Sequence, residues 1–293
     1  MRRGRLAAAG ALLLLAAPAC RREPAGAGAE DPFAEARTLV EERRFDEAIA
    51  ALGDDGDAEA LYLLGRAWAG KAQAAPVPTP VPGAGAPGWA PLKLEETQAL
   101  AFFERAVAAR PDHAGTHLAI ADLLAPHALV AARRGGGAAA GNGTVARVLQ
   151  SYGRAMQADP AGTAAVEAMI RFATAAGRVA EAEGAFQELV RRRREDPHVL
   201  VRYGDFLAGP GSNAEGAVAQ YSQALIWRPD DTATRLKVAA IHLAAASTLL
   251  TERQYAAAEA RLREARRFMA DPASAEAARL RELDGRLREI RGR

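Results

Sequence analysis

The sequence predicts an all-α chain, and three observations carry that prediction. Of 293 residues, 49% are hydrophobic but only 5% aromatic, and alanine dominates the apolar set. An interior of small side chains suits helix packed on helix better than stacked sheets, which draw on β-branched and aromatic residues. Apolar positions also recur at helical spacing: Ala99, Phe103 and Ala106 share one helix face, and so do Ala217, Tyr221 and Ala224. A proline then follows at the same distance each time, Pro111 and Pro229. It lacks a backbone donor and disfavours helical conformation in the residue before it, so it ends the helix.

The chain opens with MRRGRLAAAGALLLLAAPA, residues 1–19: three arginines, an apolar run from Leu6 to Ala17, and small residues around Pro18. That is the three-part layout of a secretory signal peptide, with an apolar run too short to span a bilayer comfortably. Loss of this leader removes Arg2, Arg3 and Arg5 and leaves 35 basic against 36 acidic side chains. A mature chain so nearly neutral is not expected to bind nucleic acid.

The only cysteine, Cys20, comes next. A signal ending in small residues directly before a cysteine resembles the lipobox of bacterial lipoproteins, which implies acylation of Cys20 and a mature chain beginning there. Ala17 and Pro18 depart from the commonest lipobox, and ordinary cleavage after Ala19 leaves a soluble periplasmic protein as the alternative. A lone thiol has no partner for an internal disulfide in an oxidising compartment, which favours the acylated form. Residues 20–31 are the cysteine followed by a Gly, Ala and Pro segment, a flexible tether of very roughly 15–20 Å root-mean-square span.

From residue 32 the chain repeats itself. ALAFFERAVAARPD (99–112), AVAQYSQALIWRPD (217–230) and VLQSYGRAMQADP (148–160) share a small or branched residue, an aromatic, an alanine and a proline at fixed offsets. EALYLLGRAWA (59–69) and LVRYGDFLA (200–208) add helices with glycine at a tight crossing point, Gly65 and Gly204. These patterns resemble the second and first helices of the tetratricopeptide repeat (TPR). Weaker copies follow Phe45, Ala48 and Leu52; Gly177, Val179, Ala182 and Phe186; and Tyr255, Ala258, Leu262 and Ala265. The expectation is a TPR-like α-solenoid of about six helix pairs over residues 32–270, closed by an amphipathic capping helix within 271–293.

Two segments interrupt the pattern, 70–93 and 125–144, and their proline and glycine content predicts loops. Both fall between the two helices of a repeat, so they project from one edge. They are either tolerated surface insertions or a partner-contacting edge with Trp89 as its anchor.

Little in the sequence points to catalysis. GGGAAAGNGT (135–144) lacks the lysine of a phosphate-binding loop and follows a helix. His113 and His117, with Asp122 and His127 nearby, lack the glutamate of a zinc-hydrolase helix, so no metal is expected. Arg191 to Arg194 fit the carbonyl end of a helix, where a cation meets the negative end of the dipole, with a docking patch as the other reading. No nucleophile elbow is present. No catalytic residue and no cofactor are therefore expected.

Binding remains. The resemblance implies that first-helix residues off the packing face line a concave groove for a partner's peptide or helix. The candidates are Tyr62, Arg66, Asp122, Glu167, Arg171, Arg202, Asp205 and Lys237. Their mixed charge favours a polar segment. The expected protein is a non-enzymatic scaffold, held by lipid at the bacterial cell envelope and facing the periplasm, with other envelope proteins as partners. An accessory role in polysaccharide export or cell-wall glycan binding is the alternative, and it calls for several groove aromatics where only Tyr62 is a good candidate.

Overall fold

The computed structural model describes residues 31–74, 92–134, 139–269 and 271–292, so the signal peptide, Cys20, most of the tether and Trp89 lie outside the described residues. Thirteen α-helices and no strand occur among the described residues. They form six antiparallel pairs: α1 (Ala34–Glu41) with α2 (Phe45–Leu52), α3 (Ala58–Ala74) with α4 (Leu94–Ala109), α5 (Ala114–Arg134) with α6 (Ala139–Ala158), α7 (Ala164–Ala175) with α8 (Val179–Arg192), α9 (Pro197–Ala208) with α10 (Ala214–Trp227), and α11 (Thr232–Thr251) with α12 (Tyr255–Phe268). A thirteenth helix, α13 (Ala275–Arg291), packs on both α11 and α12. The chain is a TPR-like α-solenoid with one terminal capping helix.

The repeated face is the buried one. Ala99, Phe103 and Ala106 on α4, Val148, Tyr152 and Ala155 on α6, and Ala217, Tyr221 and Ala224 on α10 are all at most 2% exposed. Helices α4, α6 and α10 end at residues 109, 158 and 227, each two positions before Pro111, Pro160 and Pro229. Glycine marks the crossing of first and second helices for a steric reason. A Cβ at Gly65 would sit 2.5 Å from the Phe103 ring, and one at Gly204 would sit 2.5 Å from the Tyr221 ring. The weaker copies bury the same positions, Ala182 and Phe186, Ala258 and Leu262, Ala48 and Leu52, whereas Val179 is exposed at the start of its helix.

Helix starts later in the chain are capped by the residues suited to it. Asp196, Asn213, Asp231 and Ser274 each accept a hydrogen bond from a backbone N–H in the first turn of α9, α10, α11 and α13. The turns inside the first, fourth and sixth pairs share one geometry. Arg43, Gly177 and Arg253 have φ of 64°, 69° and 58°, and the next residue in each donates 2.8 Å to the carbonyl of Leu39, Ala173 or Leu249.

The two predicted loops are shorter than the sequence implies. Helix α3 continues through Gly70 to Ala74, leaving 75–91 outside the described residues. Helix α5 runs through Pro126 to Arg134 and α6 opens at Ala139, so most of 125–144 is helical. The reason is packing and propensity: alanine-rich flanks favour helix, and Ala128 and Val145 are buried in the core that holds Leu124 and Val148. One proline and a glycine cluster outweighed those alanines in the sequence pattern.

Candidate functional site

First helices of successive pairs approach one another, α1 to α3, α3 to α5, α5 to α7, and α11 to α13, while second helices make no comparable approach. The first helices therefore line the inner, concave side. One register position on this side repeats along the array. The residue after the tight crossing is Arg66 on α3, Asp122 on α5, Arg171 on α7 and Asp205 on α9, and each directly follows a buried residue, Gly65, Ala121, Ile170 or Gly204.

That residue matches the ring beneath it. Where the first helix carries aspartate, the second helix supplies tyrosine: the Tyr152 hydroxyl donates to Asp122 Oδ1 at 2.8 Å, and the Tyr221 hydroxyl donates to Asp205 Oδ1 at 2.7 Å. Where it carries arginine, the residue at the matching position of the second helix is phenylalanine, Phe103 on α4 for Arg66 and Phe186 on α8 for Arg171. A cation from the next first helix completes each acidic station. Lys237 Nζ lies 2.5 Å from Asp205 Oδ1 and 5.7 Å from the Tyr221 ring centre. Arg171 acts on Asp122 through its charge.

Electrostatics follow from this burial. Desolvation raises the Asp122 carboxyl above its ordinary value, opposed by the Tyr152 hydrogen bond and by Arg171. Tyr152 and Tyr221 are pushed well up, first by burial and then by their aspartates, so both stay protonated donors.

At the N-terminal end, Tyr62 packs edge-on against His113 with ring centres 4.9 Å apart, and Arg66 lies 5.8 Å from the Tyr62 ring centre. His113 Nε2 is 3.6 Å from Glu59, which also takes Arg37 at 3.0 Å; burial lowers the His113 pKa. Arg202 is exposed with no ion-pair partner among the described residues. Glu167 stands apart from this line. It faces Arg193 at 3.7 Å, beside the Arg193 to Thr163 hydrogen bond, at the turn between pairs rather than over a second-helix ring.

The remaining sequence candidates have structural partners. His117 Nε2 lies 2.7 Å from the Pro111 carbonyl and His113 Nδ1 2.6 Å from Thr116 Oγ1. No group of three or more His, Cys, Asp or Glu capable of holding a metal ion occurs among the described residues. Within the basic run, Arg191 and Arg192 both bind Glu188, whose carboxyl is held down to about 2 by these two guanidinium groups. Arg192 also donates to the carbonyls of Met156, Asp159 and Gly162. It thereby caps the carbonyl end of α6, the neighbouring second helix, rather than that of its own α8.

The inner tyrosine hydroxyls were not legible as groove residues, because Tyr152 and Tyr221 occupy the core position of the repeat. The usable signal was local: aspartate after the crossing residue pairs with Tyr, arginine with Phe.

Taken together, the helix pairs and this line of charges define a TPR-like α-solenoid with a charged inner face. No protein-family model matches the chain, and no curated protein matches it in sequence. Solved structures similar to it include the TPR protein TTC0263 of Thermus thermophilus, at 18% identity, covering 72% of this chain and 96% of that one with a TM-score of 0.40. MamA of Desulfovibrio magneticus matches at 16% identity over 69% of this chain and 98% of that one, TM-score 0.43. YrrB, described as a TPR protein with an unusual peptide-binding site, matches at 13% identity over 81% of this chain and 97% of that one, TM-score 0.42.

Proposed function

We propose that this protein is a non-enzymatic scaffold that holds a polar peptide or helix segment of a partner protein along its inner face. One observation carries the reading: Arg66, Asp122, Arg171 and Asp205 alternate in charge at one register position over four successive repeats. Alternation of this kind supports recognition of a segment with complementary charges, which gains specificity and encounter rate more than bulk affinity. The tyrosine and aspartate pairs are locked in hydrogen bonds to each other, which suits a rigid binding wall rather than acid–base chemistry.

Charge reversal tests the surface. Arg171→Glu combined with Arg202→Glu should reduce partner capture in an in-cell crosslinking pulldown by roughly tenfold, with helicity by circular dichroism unchanged. Equal capture would remove the inner face as the working surface.

The same proposal places the scaffold at the cell envelope through a lipid on Cys20, on the strength of the leader and the lone cysteine that follows it. Two acyl chains give stable attachment where one gives only marginal binding. Cys20→Ser should move the protein from the membrane fraction to the soluble periplasm, and unchanged fractionation would sink the anchor.

A further inference from the structure

The charges of the inner side are not balanced. The first helices α3, α5, α7, α9 and α11 carry eight basic and four acidic side chains, while their partners α4, α6, α8, α10 and α12 carry nine of each. All four inner acids are compensated within the chain. Glu59 faces Arg37 at 3.0 Å and His113 at 3.6 Å. Glu167 faces Arg193 at 3.7 Å, and Asp205 faces Lys237 at 2.5 Å. Asp122 accepts the Tyr152 hydroxyl at 2.8 Å and feels the charge of Arg171.

The cations divide differently. Lys71 pairs with Asp46 and Arg235 reaches the Arg267 carbonyl at 3.3 Å, so both are engaged by neighbouring helices. Arg66, Arg133 and Arg202 make no hydrogen bond and no ion pair among the described residues. Arg133 and Arg202 are exposed, and Arg133 lies three turns beyond Asp122 on the same helix face. In the turns, Asp112, Glu195 and Asp230 each stand within two residues of an arginine, and Asp159 accepts from the Gly162 N–H at 2.8 Å. Asp54, Asp55 and Asp57 before α3 have no such neighbour, so a negatively charged segment lies over the helices and not over that turn. A paired carboxylate projects little charge, whereas an unpaired guanidinium projects all of its own. The inner side thus presents a surplus of positive charge even though its marks alternate in sign.

We propose that the partner segment is an acidic stretch of protein, with carboxylates set against Arg66, Arg133 and Arg202, a reading that rests on the inner side being the working surface. The alternating marks fix how the segment is seated, and the free arginines fix its net sign. Arginine suits the role, since its planar fork takes a carboxylate through two parallel hydrogen bonds. An anionic glycan fits less well. Tyr62, the one aromatic candidate for stacking a sugar ring, already packs edge-on against His113 at 4.9 Å and has Arg66 over its ring at 5.8 Å.

Site-specific photocrosslinking in intact cells tests the proposal with the full-length chain. A benzophenone side chain at Thr174 or Ala208, both exposed and one turn beyond Arg171 and Asp205, samples the inner side, and the same group at exposed Gln223 samples second helix α10. Segments captured from the two inner positions, read by mass spectrometry, should carry net negative charge around the attachment point. Arg66→Gln, Arg133→Gln and Arg202→Gln together should lower inner capture by roughly tenfold at unchanged helicity. The same three positions changed to lysine, which keeps the charge, should hold capture within about threefold of the parent. A neutral or basic captured segment, an adduct whose mass is carbohydrate, full capture by the glutamine variant, or a lysine variant as deficient as the glutamine one would each overturn the acidic partner and leave the inner side as the working surface. Capture from Gln223 with none from Thr174 or Ala208 would overturn both.

Discussion

A single backbone position shows how much one residue decides. Arg43 and Arg253 hold the left-handed conformation that Gly177 holds in the equivalent turn of the fourth pair, and a side chain there costs about 1 kcal/mol. Arg253→Gly and Arg43→Gly should each raise stability by about 0.5–1 kcal/mol, and Gly177→Arg should lower it by a similar amount. Urea unfolding midpoints check both signs. Gly65 and Gly204 were legible in the sequence because their role is steric and local. The positive φ of Arg43 and Arg253 was not legible, because arginine carries no signal for that conformation.

At the scale of elements, the last pair contains a buried histidine. His242 on α11 is 6% exposed, stacks on Phe268 of α12 with ring centres 6.3 Å apart, and has no partner for Nδ1 among the described residues. Burial first, and then the charge of Arg261, hold its pKa below the ordinary histidine value, with Glu264 opposing. A folded-state pKa below the unfolded one means that the unfolded chain binds the proton more readily. The stabilisation is fully present above about pH 6.5 and is lost as pH falls below that unfolded value. His113 contributes in the same sense, since burial lowers it too. His242→Leu should therefore remove about half of the histidine-linked loss of stability between pH 7 and 5, read from thermal unfolding at a series of pH values. Helix periodicity foretold that α11 and α12 pair, but not that a histidine would lie between them without a hydrogen bond. The same divide holds in the third pair: the heptad-like face of α6 was plain, whereas the extension of α5 through Pro126 depended on burial of Ala128, a tertiary fact.

Across the whole molecule, each helix pair touches its neighbours and little else, so stability is close to a sum over pairs and the contacts between them. An array of this kind is only as sound as its ends. Helix α13 covers Leu243, Leu250 and Leu262 with Leu280, Leu283 and Leu287. Deleting residues 271–293 should lower the melting temperature by at least about 5 °C and promote aggregation, measured by scanning calorimetry and light scattering. The number of pairs and the cap were predictable from the repeated spacing together with the TPR resemblance it carries, since repetition multiplies a weak local signal. The groove was only partly so. The first-helix positions could be listed from register, but Glu167 faces the turn beside Arg193, and Tyr152 and Tyr221 reach the inner side only through their hydroxyls.

Under the proposed function, the alternation of Arg66, Asp122, Arg171 and Asp205 works as a ruler with a direction. A partner seated in register meets opposite charge at every mark. Shifted by one repeat, or laid in backwards, it meets like charge at every mark instead. The wrong placements are thus rejected by repulsion, so the wall admits one frame and one polarity without needing a deep pocket.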